Sequence, residues 1–112
     1  MKTNPPTLRI KDRYVLFRVH SAEPVDYYNL KNAVFSSIMD FIGESGAAKA
    51  GVVFVKNLWK QQEQTGVFRC SAKSLDIVKV SISMVHQIGD SKVSVQTLNV
   101  SGSIKGLGKK HS

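Results

Sequence analysis

From Arg13 to His20 apolar and polar positions alternate. Val15, Phe17 and Val19 share one face; Tyr14, Leu16, Arg18 and His20 share the other. Period-two alternation predicts a strand with one buried face. Pro24 ends it, and Asp26 stands where a helix needs an N-cap. Leu30, Val34, Ile38 and Phe41 then recur at helical spacing, which predicts a helix over residues 27–42. A second apolar stripe, Tyr28, Phe35, Met39 and Ile42, runs along the same helix. Two stripes mean either wide burial or a protein partner on one of them, and the pattern alone leaves both open. Gly43, Glu44, Ser45 and Gly46 end the helix, with glycine supplying a left-handed turn.

Residues 50–60 and 64–71 are strand-like, joined by a short hairpin connection at Gln61, Gln62 and Glu63. Ser74 stands as the cap of a second helix running through Ile88, with Gly89 ending it. Residues 92–101 form the last strand. Its alternation slips, because Val93 and Val95 share one face while Leu98 and Val100 share the other. A β-bulge near Gln96 or Thr97 reconciles them. The order strand, helix, strand, strand, helix, strand predicts an α+β, ferredoxin-like (RRM-like) sandwich, βαββαβ. Its antiparallel sheet has four strands, with two helices on one face and the other face open. The first and third strands form its middle pair, which groups Tyr14, Arg18 and Arg69 on the open face. Residues 1–8, with Pro5 and Pro6, read as a flexible segment, 9–104 as one domain and 105–112 as a basic tail.

Charge changes this picture through its placement. The 112 residues carry a formal +8. Lys2, Arg9, Lys11 and Arg13 face only Asp12, and Lys92, Lys105, Lys109 and Lys110 face no acid after Asp90. Nearly all the excess therefore flanks a near-neutral body. Two cationic ends point to an anionic partner, of which nucleic acid is the commonest. Solvated ends with no partner are the plainer alternative. No apolar run approaches the ~20 residues of a membrane helix, and residues 1–6 lack the core of a signal peptide. Cys70 is the single cysteine, so the chain has no internal disulfide and suits a reducing, cytoplasmic setting.

Little here supports catalysis or a bound metal. The acids are scattered, and His20, His86 and His111 have no companion at ligand spacing. Cys70 alternates inward on its strand as an inert thiol. The glycines of the tail fail the P-loop spacing, since Ser103 stands where glycine is needed and Lys109 is followed by lysine. Gly43 to Gly46 matches the GXXG clamp of KH domains in form, but carries a glutamate and lacks the following helix. The third strand lacks the aromatic signature of base-stacking RRMs. One aromatic, Tyr14, beside two arginines suits phosphate, sugar and shape contacts with folded RNA better than base stacking.

Four segments occur together in order and spacing: residues 13–19 (RYVLFRV), 43–49 (GESGAAK), 64–70 (QTGVFRC) and 97–105 (TLNVSGSIK). Over residues 10–106 they resemble the archaeal ribonuclease P protein component 2 family, whose eukaryotic relatives serve ribonuclease P and MRP. Ser103 stands where members often have threonine, and Lys105 where arginine is common. The resemblance implies a subunit of the Mg²⁺-dependent ribonucleoprotein that removes the 5′ leader of precursor tRNA. It implies that the RNA carries the chemistry and its Mg²⁺, that this chain is not itself catalytic and that it binds no cofactor. It also implies pairing with protein component 3 in a two-plus-two assembly, beside other small proteins, with precursor tRNA met only indirectly. The residues expected to meet RNA are Lys11, Arg13, Tyr14, Arg18, Arg69, Lys105, Lys109 and Lys110. Those expected to meet protein are Tyr28, Phe35 and Met39. A stand-alone RRM-like RNA binder and a protein-interaction module remain as rival classes.

Overall fold

The computed structural model describes residues 12–109. Strand β1 (Asp12–Ser21) leads to helix α1 (Tyr27–Ala50). Then come β2 (Val53–Phe54), β3 (Thr65–Ser71) and α2 (Leu75–Ser83). Strands β4 (Gln87–Ile88) and β5 (Ser91–Ser101) and a short helix α3 (Ile104–Lys109) complete the described residues. The sheet order is β2-β3-β1-β5-β4, and every neighbouring pair is antiparallel.

The expected alternation places β1 at the centre. Val15, Phe17 and Val19 are buried under α1 and α2 with Leu30, Val34, Ile38, Val78 and Ile82. Phe68 joins them from β3, and so does Cys70, as its alternation predicts. Asp26 caps α1: its carboxylate accepts from Tyr28 N–H at 3.0 Å and Asn29 N–H at 3.3 Å. Ser37 Oγ donates to the Ser81 carbonyl at 2.6 Å and fixes α1 against α2. The bulge also occurs. Leu16 pairs with Asn99 but Phe17 pairs with Thr97, so Leu98 is the extra residue. That one-residue slip moves Val100 onto the core side, against Val15.

Several boundaries differ from expectation. Among the described residues the sheet has five strands and there are three α-helices, not four and two. The segment 50–60 contributes only Val53–Phe54 to the sheet, then turns into a 3₁₀ turn at Lys56–Leu58. Helix α1 passes the glycines at 43 and 46, but breaks at Gly43, whose φ of 76° no L-side chain adopts readily. Helix α2 stops at Ser83 rather than Ile88. Ser81 and Ser83 hydroxyls bond back to the Ile77 and Val80 carbonyls, which weakens continuation. Gly89 and Asp90 then make the two-residue turn of a β4–β5 hairpin. Ser74 makes no side-chain cap; Ser71 Oγ, one turn earlier, accepts from Lys73 N–H at 3.3 Å.

The face opposite α1 and α2 is not fully open. Helix α3 folds back over it, and Leu107 is buried there outside the main core. Asn99 Nδ2 donates to the Leu107 carbonyl at 3.2 Å, and Ser103 Oγ accepts from Gly106 N–H at 3.1 Å. Among the described residues no helix is long and apolar enough to cross a membrane.

Candidate nucleic-acid interface

The α3-bearing face of the sheet gathers the cations. Strand β1 presents Tyr14 and Arg18 there, because both share the parity opposite to Phe17. Tyr14 stands directly across from Arg69 in the β1–β3 register. Arg69 Nε lies 3.7 Å from Asp12 Oδ2, an exposed pair at the rim whose Coulomb energy is largely screened. Arg18 faces Thr65 on one side and Gln96 on the other. Lys60, bridged to Thr65 at the edge of the β3 hairpin, joins this face. Lys105 is exposed on α3 above it.

Arg13 does not belong to this group. It is one residue out of phase, so it shares the core-side parity and stands opposite Cys70. Its Nη1 donates to the adjacent Asp12 carbonyl at 3.0 Å, near Gly102. Lys109 closes α3, but its side chain lies outside the described residues, as do Lys11 and Lys110 altogether. Of the eight residues expected to touch RNA, four are thus brought to one face: Tyr14, Arg18, Arg69 and Lys105. Lys60 was not anticipated. The signal for it was available, since it closes the same hairpin whose third strand carries Arg69.

The residues expected to meet protein divide. Tyr28 and Met39 are exposed. Phe35 instead packs on the core, its ring centroid 5.6 Å from that of Phe54. Lys56 Nζ bonds to the Tyr28 hydroxyl and lies 4.8 Å from its ring centroid. That bond raises the Lys56 pKa. Phe41, expected in the core stripe, is exposed beside Met84 and His86. Ile77, Val80 and Met84 form a further exposed stripe along α2 that sequence reasoning missed, although their spacing of three and four is helical.

Chemistry at single groups is muted. Cys70 is fully buried, and desolvation pushes its thiol up to about 11, helped by the charge of Asp12. Among the described residues no three His, Cys, Asp or Glu side chains converge on a point.

Residues 13–111 match the model of the Rpp14/Pop5 family. The chain belongs to that family. Members of similar sequence include ribonuclease P protein component 2 of Thermococcus kodakarensis, 37% identical over 95% of this chain and 87% of that protein. The protein of the same name from Pyrococcus furiosus is also 37% identical, over 97% and 89%. That from Archaeoglobus fulgidus is 32% identical over 99% and 97%. A chain in the cryo-EM structure of yeast ribonuclease MRP superposes with a TM-score of 0.63 over 92% of both chains, at 14% identity. At that identity the likeness is one of fold. The Rpp14/Pop5 architecture therefore spans nearly all of this chain, including α3 and the cationic sheet face.

Proposed function

We propose that this chain is a protein subunit of ribonuclease P, which cleaves the 5′ leader from precursor tRNA. In this reading it binds and steadies the catalytic domain of the RNA subunit. The RNA, with its Mg²⁺, performs the hydrolysis, and the chain itself is not catalytic. The observation that carries the reading is the grouping of Arg18, Arg69 and Lys60 on one sheet face, with Lys105 exposed on the helix that folds over it. These cations neutralise RNA phosphates, release counterions and lower the Mg²⁺ the RNA needs to hold its active fold. The likeness to named ribonuclease P proteins over almost the full length supports the same reading. The sandwich is a ferredoxin-like, RRM-like core elaborated by the β4 hairpin strand and α3.

Protein component 3 is the proposed protein partner, in a two-plus-two assembly beside other small basic subunits. Tyr28 and Met39 on the exposed side of α1 are its proposed contacts. A buried, protonated lone thiol fits a reducing cytoplasmic setting. Binding of ribonuclease P RNA across a salt series tests the core of this reading. Each neutralised phosphate contributes about −0.7 to −0.9 to the log–log slope. Arg18→Glu with Arg69→Glu should weaken binding and flatten the slope. An unchanged slope removes the sheet face from the interface.

A further inference from the structure

Between α3 and the sheet lies a cleft of about 520 Å³, within the ~300–1,000 Å³ range of small-ligand sites. Its apolar walls come from Leu16, Val67 and Leu98 on the sheet and from Ile104 and Leu107 on α3. Arg18 and Lys60 stand in its lining, with Thr65 and Glu63 as the neutral and acidic polar groups. Apolar walls, a cationic rim and one or two hydrogen-bonding groups are what an extruded nucleobase requires.

We propose that this cleft receives one unpaired nucleotide of the bound RNA. The base lies against the aliphatic walls, and its flanking phosphates meet Arg18, Lys60 and Lys105. Thr65 and Glu63 offer partners to the polar edge of the base. This rests on the RNA-binding reading above and adds to it a site for a single unstacked base. An apolar anchor from a protein fits the walls, but offers no anion to Arg18 and Lys60, which outnumber Glu63, the one acid in the lining. A nucleotide satisfies both.

The cleft exists only while α3 is seated. Leu107 and the Asn99 bond hold the helix down. Gly106 lets it approach β5: a Cβ there would overlap Ser101 Oγ. Free in solution, six residues with two glycines make a poor helix. Gly106 and Ser101 are thus positioning residues for one wall of the site. Gly106→Ala improves intrinsic helix propensity, yet should unseat α3. Adding Ser101→Gly removes the overlap with Ser101, leaves only the tight contact with Ser103 Oγ, and should largely reseat it.

Leu98→Trp in the full chain tests the site directly. It fills the cleft without altering charge, at a half-buried bulge position. Fluorescence anisotropy would compare a short unstructured single-stranded RNA with a blunt RNA duplex, after thermal melting shows the variant folded. The expected result is about a tenfold loss for the single strand, a typical cost for one base contact, with the duplex unaffected. Gly106→Ala should reproduce the single-strand loss, and Gly106→Ala/Ser101→Gly should recover it. Unchanged single-strand affinity in Leu98→Trp and Gly106→Ala overturns the site while leaving the RNA-binding reading intact. Loss of protein component 3 binding, with RNA affinity unchanged, would assign the cleft to protein and overturn the proposal. Failure of the unsubstituted chain to bind either RNA, or ribonuclease P RNA, defeats the underlying reading itself.

Discussion

Gln64 holds both backbone atoms of Val25: its Oε1 accepts from the Val25 N–H at 2.8 Å, and its Nε2 donates to the Val25 carbonyl at 3.2 Å. Gln64 is buried and sits at φ 57°, in the left-handed region. Its own carbonyl accepts from Val19 N–H at 2.8 Å. One side chain thus ties the loop before α1 to the β3 hairpin and fixes the end of β1. Gln64→Ala leaves the buried Val25 amide without a partner and should cost about 1–3 kcal/mol. Gln64→Gly relieves the backbone but not the amide, so it should stay destabilised. Urea titration of both variants checks this; a Gln64→Ala variant at full stability would show that the side-chain bonds contribute nothing net.

Cys70 gives the fold a dependence on alkaline pH. Burial pushes its thiol from the ordinary 9.0 up to about 11 in the folded chain. The folded state therefore keeps its proton where the unfolded chain has lost it. The stabilisation is complete below pH 9 and declines as pH rises towards 11, at up to about 1.4 kcal/mol per pH unit. Burial also raises Tyr27, which adds a decline of the same sign above pH 10. Cys70→Ala should remove the decline that starts at pH 9 and leave the Tyr27 decline above pH 10. An unchanged curve from pH 9 to 11 would remove Cys70 as its source. The same burial predicts that iodoacetamide alkylates Cys70 only after unfolding.

Phe35 and Met39 separate packing from partner contact on α1. Phe35→Asp puts a charge against Phe54 and the core, and should cost at least about 3 kcal/mol. Met39→Glu alters an exposed position and should change stability by no more than about 0.5 kcal/mol. If α1 meets protein component 3, Met39→Glu, alone or with Tyr28→Ala, weakens that complex while melting is unchanged. Co-purification at native strength with the double variant would place the contact elsewhere, the exposed Ile77, Val80 and Met84 stripe being the next surface to test.

The sequence was most legible where one periodicity governed. The β1 alternation placed Val15, Phe17 and Val19 in the core and Arg18 opposite, and the slip between Val95 and Val100 located the bulge within two residues of Leu98. It failed where tertiary contacts overrode local pattern. Val85 and Ile88 continue the helical spacing of α2, and both are buried, yet Val85 lies in the connection after α2 and Ile88 in the hairpin closed by the Gly89–Asp90 turn. Phe41 follows the α1 core stripe, but α2 has already ended at Ser83 and leaves it uncovered. Helix α3 was invisible because Gly106 and Gly108 argue against a helix. Tertiary contacts hold it: the burial of Leu107, the Asn99 bond to its carbonyl and the fit of Gly106 against Ser101. The candidate site was half legible: parity grouped Tyr14, Arg18 and Arg69, while Lys60 and the cleft needed the fold.

Lys105 and Arg18 offer a graded check on the interface. Each lies on the α3-bearing face, one on the helix and one on the sheet. Single Gln substitutions should each reduce the salt slope of RNA binding by about 0.7–0.9, and the double variant by about twice that. Arg13→Gln, on the opposite parity, should change it less. Equal slopes for Arg13→Gln and Arg18→Gln would contradict the one-face interface.

Reconstituted cleavage of precursor tRNA tests the central claim most directly. Ribonuclease P RNA would be assembled with protein component 3, with and without this chain, over a Mg²⁺ series. The chain should lower the Mg²⁺ needed for 5′-leader removal, and Arg18→Gln/Arg69→Gln/Lys105→Gln should lose most of that effect while remaining folded. Cleavage with the same Mg²⁺ dependence whether the chain is present or omitted would contradict it.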